Sequence, residues 1–183
     1  MDTLLALDHA ILSYIALHFQ NGLLTAVMRF CSALGNLGAV WIVLTLFLLA
    51  RRKTRRCGII MAAALLAGVL LGEGLLKHLI SRPRPFLQFD DLTPLIPPPQ
   101  SFSFPSGHSL SSFAAATALF SFYRKPGICA FALAAAIAFS RLYLCVHFPT
   151  DVFAGLILGI TVGLAAYFIG NRVLDRLHYA RLR

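Results

Sequence analysis

Acidic residues are scarce: seven Asp and Glu stand in 183 positions, against sixteen Lys and Arg. A chain so poor in carboxylates has little from which to build a magnesium or calcium site, which takes several oxygen ligands. Cysteine is equally thin. The four present, Cys31, Cys57, Cys129 and Cys145, form no Cys-x-x-Cys pair. That argues against a zinc site and a disulfide framework, and reduced, buried thiols are expected. Proline is nearly absent from most of the chain, because seven of the nine fall within residues 81–105. Elsewhere only Pro126 and Pro149 stand in the way of long helices. A basic leader is missing too. Asp2 and Asp8 stand where a secretory signal carries positive charge, so insertion is expected to rely on internal helices.

What is there in excess is apolar. Hydrophobic residues make up 58%, charged residues 13%, and the mean hydropathy is +0.78. Those values define a polytopic membrane protein rather than a soluble helical one. The net charge of +9 would point to nucleic acid in a soluble chain. Here the cations fall in loops, so the expected partner is the bilayer and no nucleic acid. Five apolar stretches, Asn36–Ala50, Cys57–Ile80, Ser106–Tyr123, Ile128–Cys145 and Val152–Gly170, approach the ~20 residues of a membrane span; the first is short and begins earlier.

Residues 1–35 read as amphipathic segments. Thr25, Arg29, Ser32 and Asn36 recur at helical spacing, while His9, Ser13 and Gln20 break an otherwise apolar run. Both segments suit the outer membrane interface, the competing reading being a sixth span. The expected fold is therefore all-α: one integral-membrane domain over 1–183 with five or six transmembrane helices and interfacial helices at the N-terminus. It includes a Pro-rich extracytoplasmic loop at 81–105 and a basic cytoplasmic tail at 171–183. Orientation follows from eleven of the sixteen basic residues, in 51–56, 124–125 and 172–183, which share one side and assign it to the cytoplasm. Arg29, Lys77, Arg82, Arg84 and Arg141 do not follow that rule and need another reason.

The reason lies in what stands beside them. Lys77 and Arg84 end the second span, Pro105-Ser106-Gly107-His108 opens the third, Ser140-Arg141 ends the fourth, and His147 and Asp151 open the fifth. Spans alternate in direction, so all four clusters reach one face. Cations, a Ser-Gly turn at a helix start and two histidines suit a bound tetrahedral anion. Asp151 can take the Nδ1 proton of His147 and leave Nε2 as a nucleophile, with His108 protonating the leaving group. With that much positive charge in place, no metal and no cofactor are required. Alone, either histidine reads as an interfacial residue and "SRPRP" as a basic loop; order and sidedness make the set a site. Glu73, one turn before Lys77, either pairs with it or faces a water-filled cavity. Arg82 is a candidate for a distal phosphate or headgroup, His78 reads as structural, and Asp90 and Asp91 as solvated loop residues.

Lys77, six residues, Arg84-Pro85; Pro105-Ser106-Gly107-His108; and Ser140-Arg141, five residues, His147, three residues, Asp151 resemble in full the three-part signature of the type-2 phosphatidic acid phosphatase superfamily. The resemblance implies a magnesium-independent lipid phosphatase working on the extracytoplasmic face of the inner membrane through a phosphohistidine. His147 would be nucleophile, Asp151 its orienting partner and His108 the acid/base. Lys77, Arg84, Ser106, Gly107 and Arg141 would hold the phosphate. Undecaprenyl diphosphate is the first expected substrate, with phosphatidylglycerol phosphate or phosphatidate next. Two alternatives are a vanadate haloperoxidase, disfavoured by the membrane spans, and a lipid-phosphate binding or transport protein without turnover, disfavoured by the intact histidines.

Overall fold

A computed structural model describes residues 3–180. They form α1 (Thr3–Phe19), α2 (Gly22–Gly35), α3 (Ala39–Ala50) and α4 (Arg55–Val69). A π-helical turn, Leu70–Leu76, carries α4 into the short α5 (Lys77–Ile80), and α6 (Gly107–Phe122), α7 (Arg124–Tyr143) and α8 (Pro149–Ala180) follow. Four segments are long and apolar enough to cross a membrane: Gly22–Ala50, Arg55–Leu87, Arg124–Tyr143 and Pro149–Leu177. The five expected stretches differ at α6. Its 16 residues rise only about 24 Å. It lies at the centre of the bundle against α4, α7 and α8. Small residues make that possible. Ala114, Ala115, Ala116 and Ala118 are fully or almost fully buried on α6. Opposite them, a methyl on Gly155, Gly159 or Gly163 of α8 would lie 2.6–2.7 Å from α6 atoms. Such small-residue spacing lets two helix backbones touch where lipid supplies no hydrophobic drive to associate. Large apolar side chains face outward instead, among them Leu46, Phe47, Leu66, Leu70, Ile128, Phe153 and Phe168.

The polar stripe of α2 is turned inward. Thr25 bonds Tyr143 Oη at 2.9 Å, Arg29 Nε donates to Leu95 O at 2.9 Å, Ser32 meets Arg141 and Asn36 meets His108. Leu23, Val27 and Phe30 take the exposed side. A membrane helix with polar groups to satisfy can do so only against protein. The chain then kinks at Leu37 (φ 52°) and Gly38 (φ 69°) into α3, which is how the first apolar stretch begins earlier. α1 follows the same inverted pattern, burying Asp8, Leu12 and Ile15 and exposing Leu4, Leu7 and Leu17.

The turn at 51–56 meets the start of α7 and the end of α8. Tyr123 Oη donates to Lys53 O at 3.5 Å, and Arg56 binds Asn171 Oδ1 at 2.6 Å and Asp175 Oδ1 at 2.7 Å. The basic groups at 51–56, 124–125 and 172–176 thus share one end of the bundle. Arg181 and Arg183 of the tail lie outside the described residues. The 81–105 loop is tied down at the other end. Ser103 N donates to Arg82 O at 2.8 Å and Leu95 N to Leu144 O at 3.2 Å. Asp91 accepts from His9 Nε2 at 2.9 Å and from Ser13 at 3.0 Å, so it anchors the loop on α1 while staying exposed, as expected of a solvated loop residue. Those bonds hold its carboxyl below the usual range, the His9 bond contributing most. All four cysteines are free, but only Cys57 and Cys145 are buried; Cys129 is exposed on the outward face of α7.

Candidate active site

Ser106 starts α6. Its Oγ accepts from Ser109 N at 3.4 Å and from Ser109 Oγ at 3.0 Å, an N-cap that commits the chain to helix. Its own N–H donates to Asp151 O at 3.1 Å, docking the start of α6 on the start of α8. The hydroxyl is fully buried and caps the helix behind the cavity wall, where the sequence reading had it on the phosphate. Gly107 and His108 line the cavity itself. A methyl on Gly107 would lie 2.4 Å from Glu73 Oε1. Only that flexible carboxylate need move, so Gly107→Ala is expected to keep the melting temperature. It should shift Glu73 and with it Lys77, lowering kcat/KM about tenfold to a hundredfold in a phosphate-release assay.

Lys77 Nζ donates to Glu73 at 2.8 Å and to Ser101 Oγ at 3.1 Å. Arg84 is clamped by backbone oxygens, Ser101 O and Val146 O at 2.7 Å and Phe102 O at 3.3 Å. Its Nη1 lies 3.3 Å from His147 Nε2. Arg141 donates one Nη to Ser32 Oγ, while its buried Nε has no partner among the described residues. Arg84 and Arg141 are each 3% exposed, and neither has a carboxylate partner among the described residues. Taking a guanidinium out of water without a counter-charge costs several kcal/mol. Two such groups lining one cavity suit a bound anion with several oxygens.

His147 stands between α7 and α8, after a turn in which Cys145 adopts φ 56°. It is 2% exposed. Burial drives its pKa far below the ordinary value, contact with Asp151 opposing and the nearby arginines reinforcing, so the ring is neutral. An arginine N–H directed at Nε2 requires that atom to be the unprotonated one and puts the proton on Nδ1. Asp151 Oδ2 is 3.7 Å from Nδ1, beyond a hydrogen bond. Ser103 fills the gap, its Oγ 3.5 Å from Nδ1 and 2.5 Å from Asp151 Oδ2. The direct carboxylate–imidazole bond expected from the sequence is thus replaced by one routed through a hydroxyl. Asp151 also accepts from Phe148 N at 2.9 Å. Across the site, His108 Nε2 is 3.1 Å from Asn36 Oδ1.

One cavity of about 520 Å³ is lined by Lys77, Arg84, His108, Arg141 and His147, together with Glu73, Gly107 and Ser101. It runs on between Leu37, Ile42, Leu65, Leu66 and Val69, an apolar trough. Arg82 is not in its lining. Its guanidinium is stacked 4.0 Å over Phe148 and bound to Asp8 and Asp151, so the headgroup contact expected of it is not made. His78 lies edge-on to Phe102, away from the cavity. Ser32, Asn36, Ser101, Ser103 and Asp8 escaped the sequence reading. A signal existed for four of them, since Ser32 and Asn36 stand in the polar stripe of α2. In "SFSF" at 101–104 the alternation puts Ser101 and Ser103 on one side of an extended strand of chain.

The chain belongs to the PAP2 superfamily, described by that name, whose profile matches residues 57–175. Within it the chain is a multi-pass membrane lipid phosphatase. It is 36% identical over 141 residues to an undecaprenyl-diphosphatase of Sulfolobus acidocaldarius, covering 76% of this chain and 68% of that one. The crystal structure of a transmembrane PAP2-type phosphatidylglycerolphosphate phosphatase from Bacillus subtilis superposes with a TM-score of 0.76 and 29% identity over 94% of this chain and 89% of that one. Aquifex aeolicus LpxE does so with a TM-score of 0.76 and 30% identity over 86% and 92%.

Proposed function

We propose that the protein removes the terminal phosphate of a polyprenyl diphosphate, undecaprenyl diphosphate first, at the extracytoplasmic surface through a phosphohistidine. The observation that carries this reading is the pair of buried arginines without carboxylates, flanking a neutral imidazole at the head of an apolar trough. The trough takes the lipid and the cations the phosphate. Similarity to an undecaprenyl-diphosphatase favours the polyprenyl chain, and similarity to the other two structures keeps phosphatidylglycerol phosphate and phosphatidate next in order.

His147 Nε2 attacks phosphorus, and the bond to the bridging oxygen breaks. His108, protonated once the anionic diphosphate lies beside it, gives that proton to the departing lipid monophosphate. Neutral His108 then takes a proton from water as the hydroxide oxygen attacks phosphorus, the P–N bond breaks, and inorganic phosphate leaves. The Nδ1 proton of His147 stays in place, turned to Ser103 and Asp151 throughout. Arg84, Arg141 and Lys77 hold the equatorial oxygens, where charge moves in flight. That α1 and α2 are part of the same catalytic domain is supported by Asn36 and Ser32 bonding His108 and Arg141, and by Asp8 of α1 bonding Thr150. The positive-inside rule, applied to the basic end of the bundle, supports a site on the extracytoplasmic side and a cytoplasmic end of α8.

Lys77, Arg84 and Arg141, which line the cavity, supply the positive charge that the transferred phosphoryl group needs. Phosphate release from undecaprenyl diphosphate is therefore expected to be unchanged by EDTA and inhibited by vanadate, an analogue of the five-coordinate phosphorus. kcat/KM across the three lipids ranks the substrates. A strict magnesium requirement would reject the mechanism, and binding without turnover would leave a lipid-phosphate carrier.

A further inference from the structure

Asp8 is a carboxylate in an apolar helix, 1% exposed, with no contact to the cavity. Burying it costs several kcal/mol unless it is fully paired. Its Oδ1 accepts from Thr150 N at 3.0 Å. Its Oδ2 accepts from Thr150 Oγ1 at 2.5 Å and from Arg82 Nη2 at 2.8 Å. The first contact satisfies one of the free N–H groups at the start of α8, a helix cap delivered from another helix. The second and third lead onward. Arg82 Nη1 binds Thr150 Oγ1 at 2.7 Å and Asp151 Oδ1 at 2.6 Å.

Asp151 therefore has its two oxygens on different duties. Oδ1 is held by Arg82, and Oδ2 is turned to Ser103, Phe148 N and the Nδ1 side of His147. Arg82 can neither swing nor slide, because Phe148 lies under its plane and Asp8 holds its far nitrogen. We propose that Asp8 is a positioning residue for the phosphotransfer: from α1 it caps α8 and, through Arg82, fixes which oxygen of Asp151 faces the nucleophile. Asp8 also shares the charge of Arg82, so that the arginine does not neutralise Asp151 alone. The proposal rests on the roles given above to His147 and Asp151.

Asp8→Asn keeps the size of the side chain and an oxygen for Thr150 but loses the charge on Arg82. The expected result is a kcat on lipid diphosphate lowered about tenfold to a hundredfold, because misplacement by a fraction of an ångström suffices for that. KM should stay within about threefold, since Lys77, Arg84 and Arg141 are untouched. In an Asp151→Asn background the same substitution should cost nothing further, because its route to the chemistry is already cut. Arg82→Lys, which cannot bridge two carboxylates at once, should reproduce the kcat loss and serves if Asp8→Asn does not fold. Unchanged kcat in the folded variant, a rise in KM alone, or a full additional loss in the Asp151→Asn background would each overturn the proposal. If His147→Ala kept its activity, the underlying mechanism would fail instead, and the two failures are thereby distinct.

Discussion

His147→Ala is expected to lower phosphate release by at least about 10⁴-fold, the scale seen when a covalent nucleophile is removed. The fold should survive. Among the described residues, the side chains at bonding range of the imidazole are Arg84 at 3.3 Å and Ser103 at 3.5 Å, both at the long end for hydrogen bonds. Arg84 keeps its four contacts to Ser101, Phe102 and Val146 without it. Truncation should thus cost about 1–3 kcal/mol of stability, within the ordinary range for a buried side chain. Thermal denaturation in detergent measures that part. Acid-quenched protein incubated with labelled substrate should carry acid-labile phosphate in the parent and none in the variant. Undiminished turnover in the variant would remove His147 from the role of nucleophile. Because burial keeps the ring neutral, the nucleophile's lone pair is present at neutral pH without a base to generate it. What Asp151 and Ser103 add is orientation and the charge that steadies the ring once phosphorylated.

The sequence carried the reacting groups because the chemistry dictates residue type and the alternation of spans dictates side. Lys77, Arg84, Gly107, His108, Arg141 and His147 meet in one cavity, and all but the glycine are ionisable groups that a membrane segment does not otherwise keep. The supporting groups were illegible for a different reason. Ser32, Ser101, Ser103 and Asn36 are ordinary polar residues whose partners lie between 17 and 109 positions away. No local spacing announces such a pair. α2 shows the limit well. Its polar stripe is plain in the sequence, but a stripe facing water and one facing a buried site have the same period. Only packing against α7 and α6 decides that it faces inward. Arg82 was misread by the same logic. A cation next to a phosphate motif invites a phosphate, and its true counter-charge, Asp8, sits 74 positions earlier.

Arg141 is where the largest loss without loss of the nucleophile is expected. The residue is 3% exposed, holds Ser32 by one nitrogen, and leaves Nε with no acceptor among the described residues. A buried N–H without a partner costs about 1–3 kcal/mol in the resting protein. An equatorial phosphoryl oxygen would relieve that cost, and would do so most when its charge is highest, in the transition state. Removing one such preorganised donor elsewhere costs 10²–10³ in kcat, and Arg141 brings a full charge besides. Arg141→Met, similar in length and without charge, should therefore lower kcat/KM by about 10³-fold. The variant should also be no less stable than the parent, because a buried unpaired cation has been replaced by an apolar side chain of matching reach. Arg141→Lys tests geometry against charge. It keeps the cation but has neither the fork nor the Nε–H, so it should recover less than about a tenth of the loss. Full recovery by lysine would mean that charge alone matters there. A fall in melting temperature that parallels the fall in activity would mean that the arginine holds α2 to α7 rather than the phosphate.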